Sequence, residues 1–160
     1  MGMDVYGVNP KIRKKSDNVL FNSIPQNEDW FDKWNELSER DKTEYFEAKQ
    51  KYEENNPGIY FRNNIWWWRP LWDYVYSVCP DILVGRYHGG HGNSGTEFSD
   101  EEAKEIAAQL FKEIKNGDTE AYAKLYEIKT EDDDYDYPFD IENVRAFATF
   151  CKESGGFQIC

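Results

Sequence analysis

The sequence predicts an α+β fold, a mostly helical single domain with a small antiparallel sheet from the two termini and the 59–68 segment. Three observations carry this. Apolar residues recur three and four apart, most clearly Ala103, Ile106, Ala107, Leu110, Phe111 and Ile114, which is the period of an amphipathic helix. Short apolar and aromatic runs stand at both ends, MGMDVYG and FQIC, and over 59–68, and such residues suit a pleated, half-buried surface. Finally, aromatic residues make up 17% of the 160 residues although mean hydropathy is −0.88. Six Trp, eleven Tyr and ten Phe supply the core material that a disordered chain lacks.

Each element follows from local signals. Residues 1–8 alternate weakly and predict a strand. Residues 9–26 carry Lys11, Arg13, Lys14 and Lys15 and close at Pro25, which predicts a loop or arm. Asn27 is placed to cap a short helix with Trp30, Phe31, Trp34 and Leu37 on one face. Ser38 starts a second helix bearing Tyr45, Phe46, Lys49 and Tyr52, and Asn55-Asn56-Pro57-Gly58 ends it. After the extended segment 59–68, Pro70 suits the first turn of a helix carrying Leu71, Tyr74, Val75 and Val78, which Pro80 stops. Residues 85–98 hold five glycines in fourteen residues and predict a loop. Ser99 and Glu102 form a capping box ahead of the clearest helix, ended by Asn116-Gly117. A further helix from Asp118 turns Tyr122, Leu125 and Tyr126 inward. Asp140 caps a last helix with Ile141, Val144, Phe147, Ala148 and Cys151, and Gly155-Gly156 ends it. FQIC is expected to pair with the N-terminal strand.

Charge and cysteine usage narrow the function classes. Nineteen basic against thirty-one acidic residues give a net charge of −12, so direct binding of nucleic acid is disfavoured: a polyanion is repelled before contact. No apolar run approaches the ~18 residues of a membrane span, and the N-terminus lacks the pattern of a signal peptide. Cys79, Cys151 and Cys160 show no CxxC spacing, and reduced thiols in a cytoplasmic protein are expected. No cofactor and no metal is implied. The run 131–136 begins like a calcium loop, but Tyr137 stands where the glycine is needed and Asn143 at the last ligand position. It reads as a solvated acidic loop or a contact for a basic partner.

Two constellations are candidate ligand sites. Trp66, Trp67, Trp68 and Trp72 lie among Arg62 and Arg69. If this stretch is extended, Trp66 and Trp68 face one way and Trp67 the other. An indole beside a guanidinium suits a nucleotide, the ring stacking while Arg grips a phosphate; the competing reading is that the indoles fill the core and the arginines pair with carboxylates. Asn63 can read a base edge or cap a turn. The loop RYHGGHGNSG interleaves Arg86, His88, His91, Asn93 and Ser94 with glycines ahead of a helix N-terminus, an arrangement that can bind phosphate or be a plain surface loop. Its two histidines could serve as acid and base on a phosphodiester, although no catalytic motif surrounds them. Asp4 and Tyr6 either line a pocket or simply face outward from the first strand.

Three segments together, MGMDVYG, YFRNNIWWWRPLW and GGFQIC, carry a resemblance. The chain resembles a family of small, functionally uncharacterised proteins encoded mainly in bacteriophage genomes. The family differs in length between the first two motifs, so the resemblance implies that residues 9–58 are a variable arm and helical insertion within the domain 1–160. It also implies a phage origin and the cytoplasm of an infected bacterium, and no chemistry. The leading expectation is therefore a phage accessory protein that sequesters a nucleotide-type host defence signal. Its ligand set would be Asp4, Tyr6, Arg62, Asn63, Trp66, Arg69, Arg86, His88, His91 and Asn93, with no catalytic residue. The alternatives are an acidic inhibitor or nucleic-acid mimic that blocks a host protein, and a nucleotide hydrolase. Exposed tryptophans would suit a homo-oligomer interface equally well.

Overall fold

A computed structural model of the chain describes residues 2–24, 29–130 and 137–160. In chain order the elements are β1 (Gly2–Gly7), α1 (Val19–Ser23), α2 (Trp30–Glu36), α3 (Glu39–Asn55), β2 (Tyr60–Asn64), α4 (Ile65–Val78), α5 (Pro80–Leu83), α6 (Tyr87–Gly90), β3 (Thr96–Phe98), α7 (Asp100–Asn116), α8 (Asp118–Thr130), α9 (Ile141–Glu153) and β4 (Phe157–Ile159). The fold is α+β and mostly helical, as the periodicity indicates. The chain divides into two compact units, one of Met1–Lys11 with Pro57–Cys160 and one of Ile12–Asn56.

The larger unit is built on an antiparallel sheet of strand order β2-β1-β4-β3. The terminal strands pair as expected, with Val5 opposite Ile159 and Gly7 opposite Phe157. β1 also pairs with β2, setting Asp4 opposite Arg62 and Tyr6 opposite Tyr60. The alternation of a strand then sends Met3 and Val5 inward and Asp4 and Tyr6 to the other face. Gly7 is required by this close pairing, because a Cβ there would stand 2.0 Å from the Gly58 carbonyl oxygen.

Helices α4, α7 and α9 cover the inner face. Their buried residues include Trp68, Leu71, Trp72 and Val75 of α4, Ala103, Ile106 and Leu110 of α7, and Val144, Phe147 and Cys151 of α9. Five aromatic rings close a circuit through this core. Trp68 stacks on Trp72 at 5.5 Å, Trp72 meets Phe98 at 5.8 Å, and Phe98 stacks on Phe157 at 4.6 Å. Phe157 meets Phe147 at 5.9 Å, and Phe147 returns to Trp68 at 5.7 Å. The circuit ties α4, β3, β4 and α9 together through contacts that each add about 0.5–1.5 kcal/mol beyond burial.

Several expectations are corrected. The extended segment stops at Asn64, and residues 65–68 are helical. Asn64 caps α4, its side-chain oxygen accepting from the N–H groups of Trp66 and Trp67 at 3.1 Å each. Helical spacing keeps Trp68 and Trp72, four apart, on one buried face while turning Trp66 away from them to the surface, and the burial of the two indoles outweighs the strand preference of an aromatic run. Pro70 therefore sits in the helix interior and not in its first turn. The glycine-rich 85–98 is not all loop: it holds the turn α6 and the fourth strand β3, which forms because β4 offers it an edge. On α8, Leu125 faces solvent at 61% exposure, while Thr119 is buried, its hydroxyl paired with the Tyr74 hydroxyl at 2.8 Å. The capping box of Ser99 and Glu102, the left-handed Gly117 and the Asp140 cap stand where the sequence puts them.

The unit Ile12–Asn56 contains α1, which the reading of 9–26 as an arm did not include; Asn18 caps it. Phe21 packs against Tyr45 and Tyr52 at 5.3 Å each, and Trp34 stacks on Trp30 and meets Tyr45 edge-on. Phe31 and Phe46 are more than half exposed and do not join the inward stripes expected of them. Ser38 caps α3 as predicted. The proposed cap Asn27 and the acidic run 131–136 lie outside the described residues.

Candidate functional site

The helical phase of α4 divides the tryptophan run. Trp68 and Trp72 point into the core, whereas Trp66 is 50% and Trp67 37% exposed. Trp66, Arg69, Asp73 and Tyr76, spaced three, four and three apart, form one outward stripe. Tyr137 lies on the first turn of that stripe. Its ring stacks on Trp66 at 5.1 Å and 29°. The guanidinium of Arg69 donates to its hydroxyl at 2.8 Å and sits 5.7 Å over its ring. The arginine is thus held in place, and among the described residues this is its one side-chain hydrogen bond.

The glycine–histidine turn is seated on the lower part of the same helix. From below, the Trp68 indole donates to the Gly90 carbonyl at 2.6 Å and the Trp72 indole to the Tyr87 carbonyl at 3.1 Å. Gly90 is fixed as glycine by this seat, since a Cβ would stand 1.9 Å from Trp72 Cε2. From above, the Tyr87 hydroxyl donates to Asp73 Oδ1 at 2.7 Å, and His91 Nε2 lies 2.9 Å from the same oxygen. Burial pulls the Asp73 carboxyl upward, but the hydrogen bonds from His91 and Tyr87, with the charges of His91 and Arg69, outweigh it and hold it below the usual carboxylate range. The same hydrogen bond to Asp73, then burial, pushes the Tyr87 hydroxyl up to about 12. Asp73 is therefore ionised near neutral pH and Tyr87 is not.

The expected ligand set separates into groups. Trp66, Arg69 and His91 share the α4 stripe. Asp4, Tyr6 and Arg62 lie on the outward face of the sheet, where Asp4 accepts from the Tyr60 hydroxyl and stands 3.5 Å from Arg62 Nε; Tyr6 packs on Tyr60 at 5.1 Å. Asn63 points inward and donates to Asn143 Oδ1 at 3.0 Å, a tie between β2 and α9. Arg86 forks onto the Glu102 carboxylate and lies 4.7 Å over the Phe98 ring. The Glu102 carboxylate, part of the α7 capping box, thus takes both the Arg86 guanidinium and the Ser99 N–H. His88 and Asn93 are exposed; the His88 ring touches Tyr87 at 5.2 Å.

Three residues of the site are not singled out by the sequence as ligand candidates: Asp73, Tyr87 and Tyr137. Asp73 follows Trp66 by seven and Arg69 by four, so the helical register alone would have placed it. Among the described residues no group of His, Cys, Asp and Glu is arranged to hold a metal ion. The three cysteines are free. Burial pushes the Cys79 thiol to about 12 and the Cys151 thiol well above its ordinary value, so neither is a nucleophile near neutral pH. Among the described residues no helix is long and apolar enough to cross a membrane. Comparison with protein-family models, with curated proteins and with solved structures found no match for the chain.

Proposed function

We propose that the protein binds and holds a small nucleotide-type ligand on the outward stripe of α4, without turning it over. In its setting it is a phage accessory protein that withdraws a host defence signal in the bacterial cytoplasm. The observation that supports this reading is the pairing of Trp66 with Arg69. A half-exposed indole and a guanidinium steadied by Tyr137 stand one helical turn apart. A base stacked on the indole gains about 1–3 kcal/mol, and a phosphate one turn along accepts charge-assisted hydrogen bonds from the arginine. A net charge of −12 repels a long polyanion far more than a ligand with one to three phosphates.

The Asp73–His91 contact favours a second reading, hydrolysis of the same ligand. Asp73 would orient the imidazole, and His91 Nδ1 would serve as general base.

The test is thermal melting of the full chain against cyclic dinucleotides, cyclic trinucleotides and ADP-ribose derivatives. A ligand at 100 times its Kd stabilises by about 2.7 kcal/mol, which raises the midpoint of a chain this size by roughly 5–10 °C. Trp66→Ala and Arg69→Ala should each abolish that rise while the ligand-free midpoint stays near that of the parent. Ligand recovered intact supports sequestration, and altered ligand whose conversion stops in His91→Ala supports hydrolysis. No rise with any ligand, or a rise unaffected by both substitutions, overturns the site.

A further inference from the structure

The unit Ile12–Asn56 contains a cavity of about 260 Å³ between the chain at 14–18 and one face of α3. Both walls are fixed. The Asn56 side chain, fully buried, accepts from the N–H groups of Arg13 and Lys14 and donates to the carbonyls of Lys14 and Tyr52. This clamps the basic segment beside the C-terminal end of α3. Four residues on, Asn18 donates to Glu44 Oε1 at 3.0 Å, which clamps the other end of the segment beside the middle of the helix. The two clamps set the segment antiparallel to α3.

That arrangement sorts the charges lining the cavity. The clamps bring Lys14 and Lys15 toward the Lys51 end of the cavity and Asp17 toward the Glu44 end, with Glu47 between them, one helical turn from Lys51. No lysine of this group has a carboxylate within ion-pair distance among the described residues, and neither Asp17 nor Glu47 has a cation there. Charges of opposite sign thus line one cavity without neutralising each other. Glu44 and Lys51 are seven residues apart on α3, about 10 Å along its axis.

We infer that this cavity is a binding site for a short peptide with free termini, its carboxylate held by Lys14, Lys15 and Lys51 and its ammonium by Asp17 and Glu44. A tripeptide in extended form spans about 10 Å, which matches the separation of the two charged ends. A ligand with one charge would satisfy one end and be repelled by the other.

The site lies in a different unit from the α4 stripe, so its test is independent of the nucleotide reading. The full chain is titrated calorimetrically with triglycine, N-acetyl-triglycine and triglycinamide. Triglycine is expected to bind, and blocking either terminus to weaken binding by about tenfold or more. Lys51→Gln should remove the penalty for amidating the C-terminus, and Glu44→Gln, which keeps the hydrogen bond to Asn18, the penalty for acetylating the N-terminus. Circular dichroism of both variants checks that the fold is kept. Absence of heat with triglycine at about 10 mM, or equal binding of the capped and free peptides, overturns the inference.

Discussion

Replacing Gly90 with alanine tests whether the glycine–histidine turn rests on the buried indoles. The new Cβ would stand 1.9 Å from Trp72 Cε2 and 2.1 Å from its Nε1, and that indole cannot retreat, because it belongs to the aromatic circuit of the core. Overpacking a filled core costs about 1–3 kcal/mol. Moving the turn away would also break the indole hydrogen bonds to the Gly90 and Tyr87 carbonyls, at about 1 kcal/mol each. The expected loss is therefore about 3–5 kcal/mol, or roughly 6–20 °C in the melting midpoint of a chain of this length. Gly92→Ala is the matched control. Its nearest neighbour is the His88 carbonyl oxygen at 3.8 Å, and its φ is not positive, so alanine there should be neutral or stabilise by up to about 1 kcal/mol. Thermal melts followed by circular dichroism decide. If Gly90→Ala melts within a few degrees of Gly92→Ala, the turn does not sit on Trp72 and the placement of Tyr87 and His91 at Asp73 fails with it.

Two further outcomes follow from caps and charges. Asn64→Ala removes the acceptor for the Trp66 and Trp67 N–H groups and should cost about 1 kcal/mol, whereas Asn64→Ser should recover most of it; urea midpoints measure both, and equal midpoints for Ala and Asn would contradict the cap. The hydrogen bonds from Arg86 hold Glu102 at about 2, against an ordinary value of 4.5. The unfolded chain then binds the proton more readily, so the contribution is complete above the ordinary value and disappears as pH falls toward about 2. At about 1.36 kcal/mol per pH unit the ceiling is ~3 kcal/mol. With both side chains about 30% exposed, solvent screening reduces this to ~1–2 kcal/mol. Urea unfolding from neutral pH down to about 3 should show a shallower acid loss in Glu102→Gln than in the parent; equal slopes would mean that the Arg86 fork does not form in solution.

What the sequence discloses depends on how local the cause is. The capping box at Ser99, the cap at Asp140 and the terminal strands are fixed by neighbours within a few residues or by a plain apolar pattern, and each is legible. β3 is not, because Thr96–Phe98 becomes a strand only through pairing with residues some sixty positions later. Arg86 misleads for a related reason: its partner Glu102 is already explained as part of the capping box, and nothing local shows that the same carboxylate also takes the guanidinium. Tyr137 reaches Trp66 across seventy-one positions, and no spacing rule announces it. The run WWWRPLW is the instructive case. Read as a strand, it sends Trp66 and Trp68 to the same side and makes them equivalent. Read as a helix, it separates them by 200°, since each residue turns about 100°, and gives them opposite tasks. Trp68 and Trp72 seat the turn that carries Tyr87 and His91, while Trp66 and Arg69 stand outside beside Asp73. The burial of Trp68 and Trp72 favours the helical reading, and Asn64 marks where the helix starts, its side chain satisfying the first N–H groups of α4. Helical phase then decides which indoles are core and which are surface, and with that the make-up of the site.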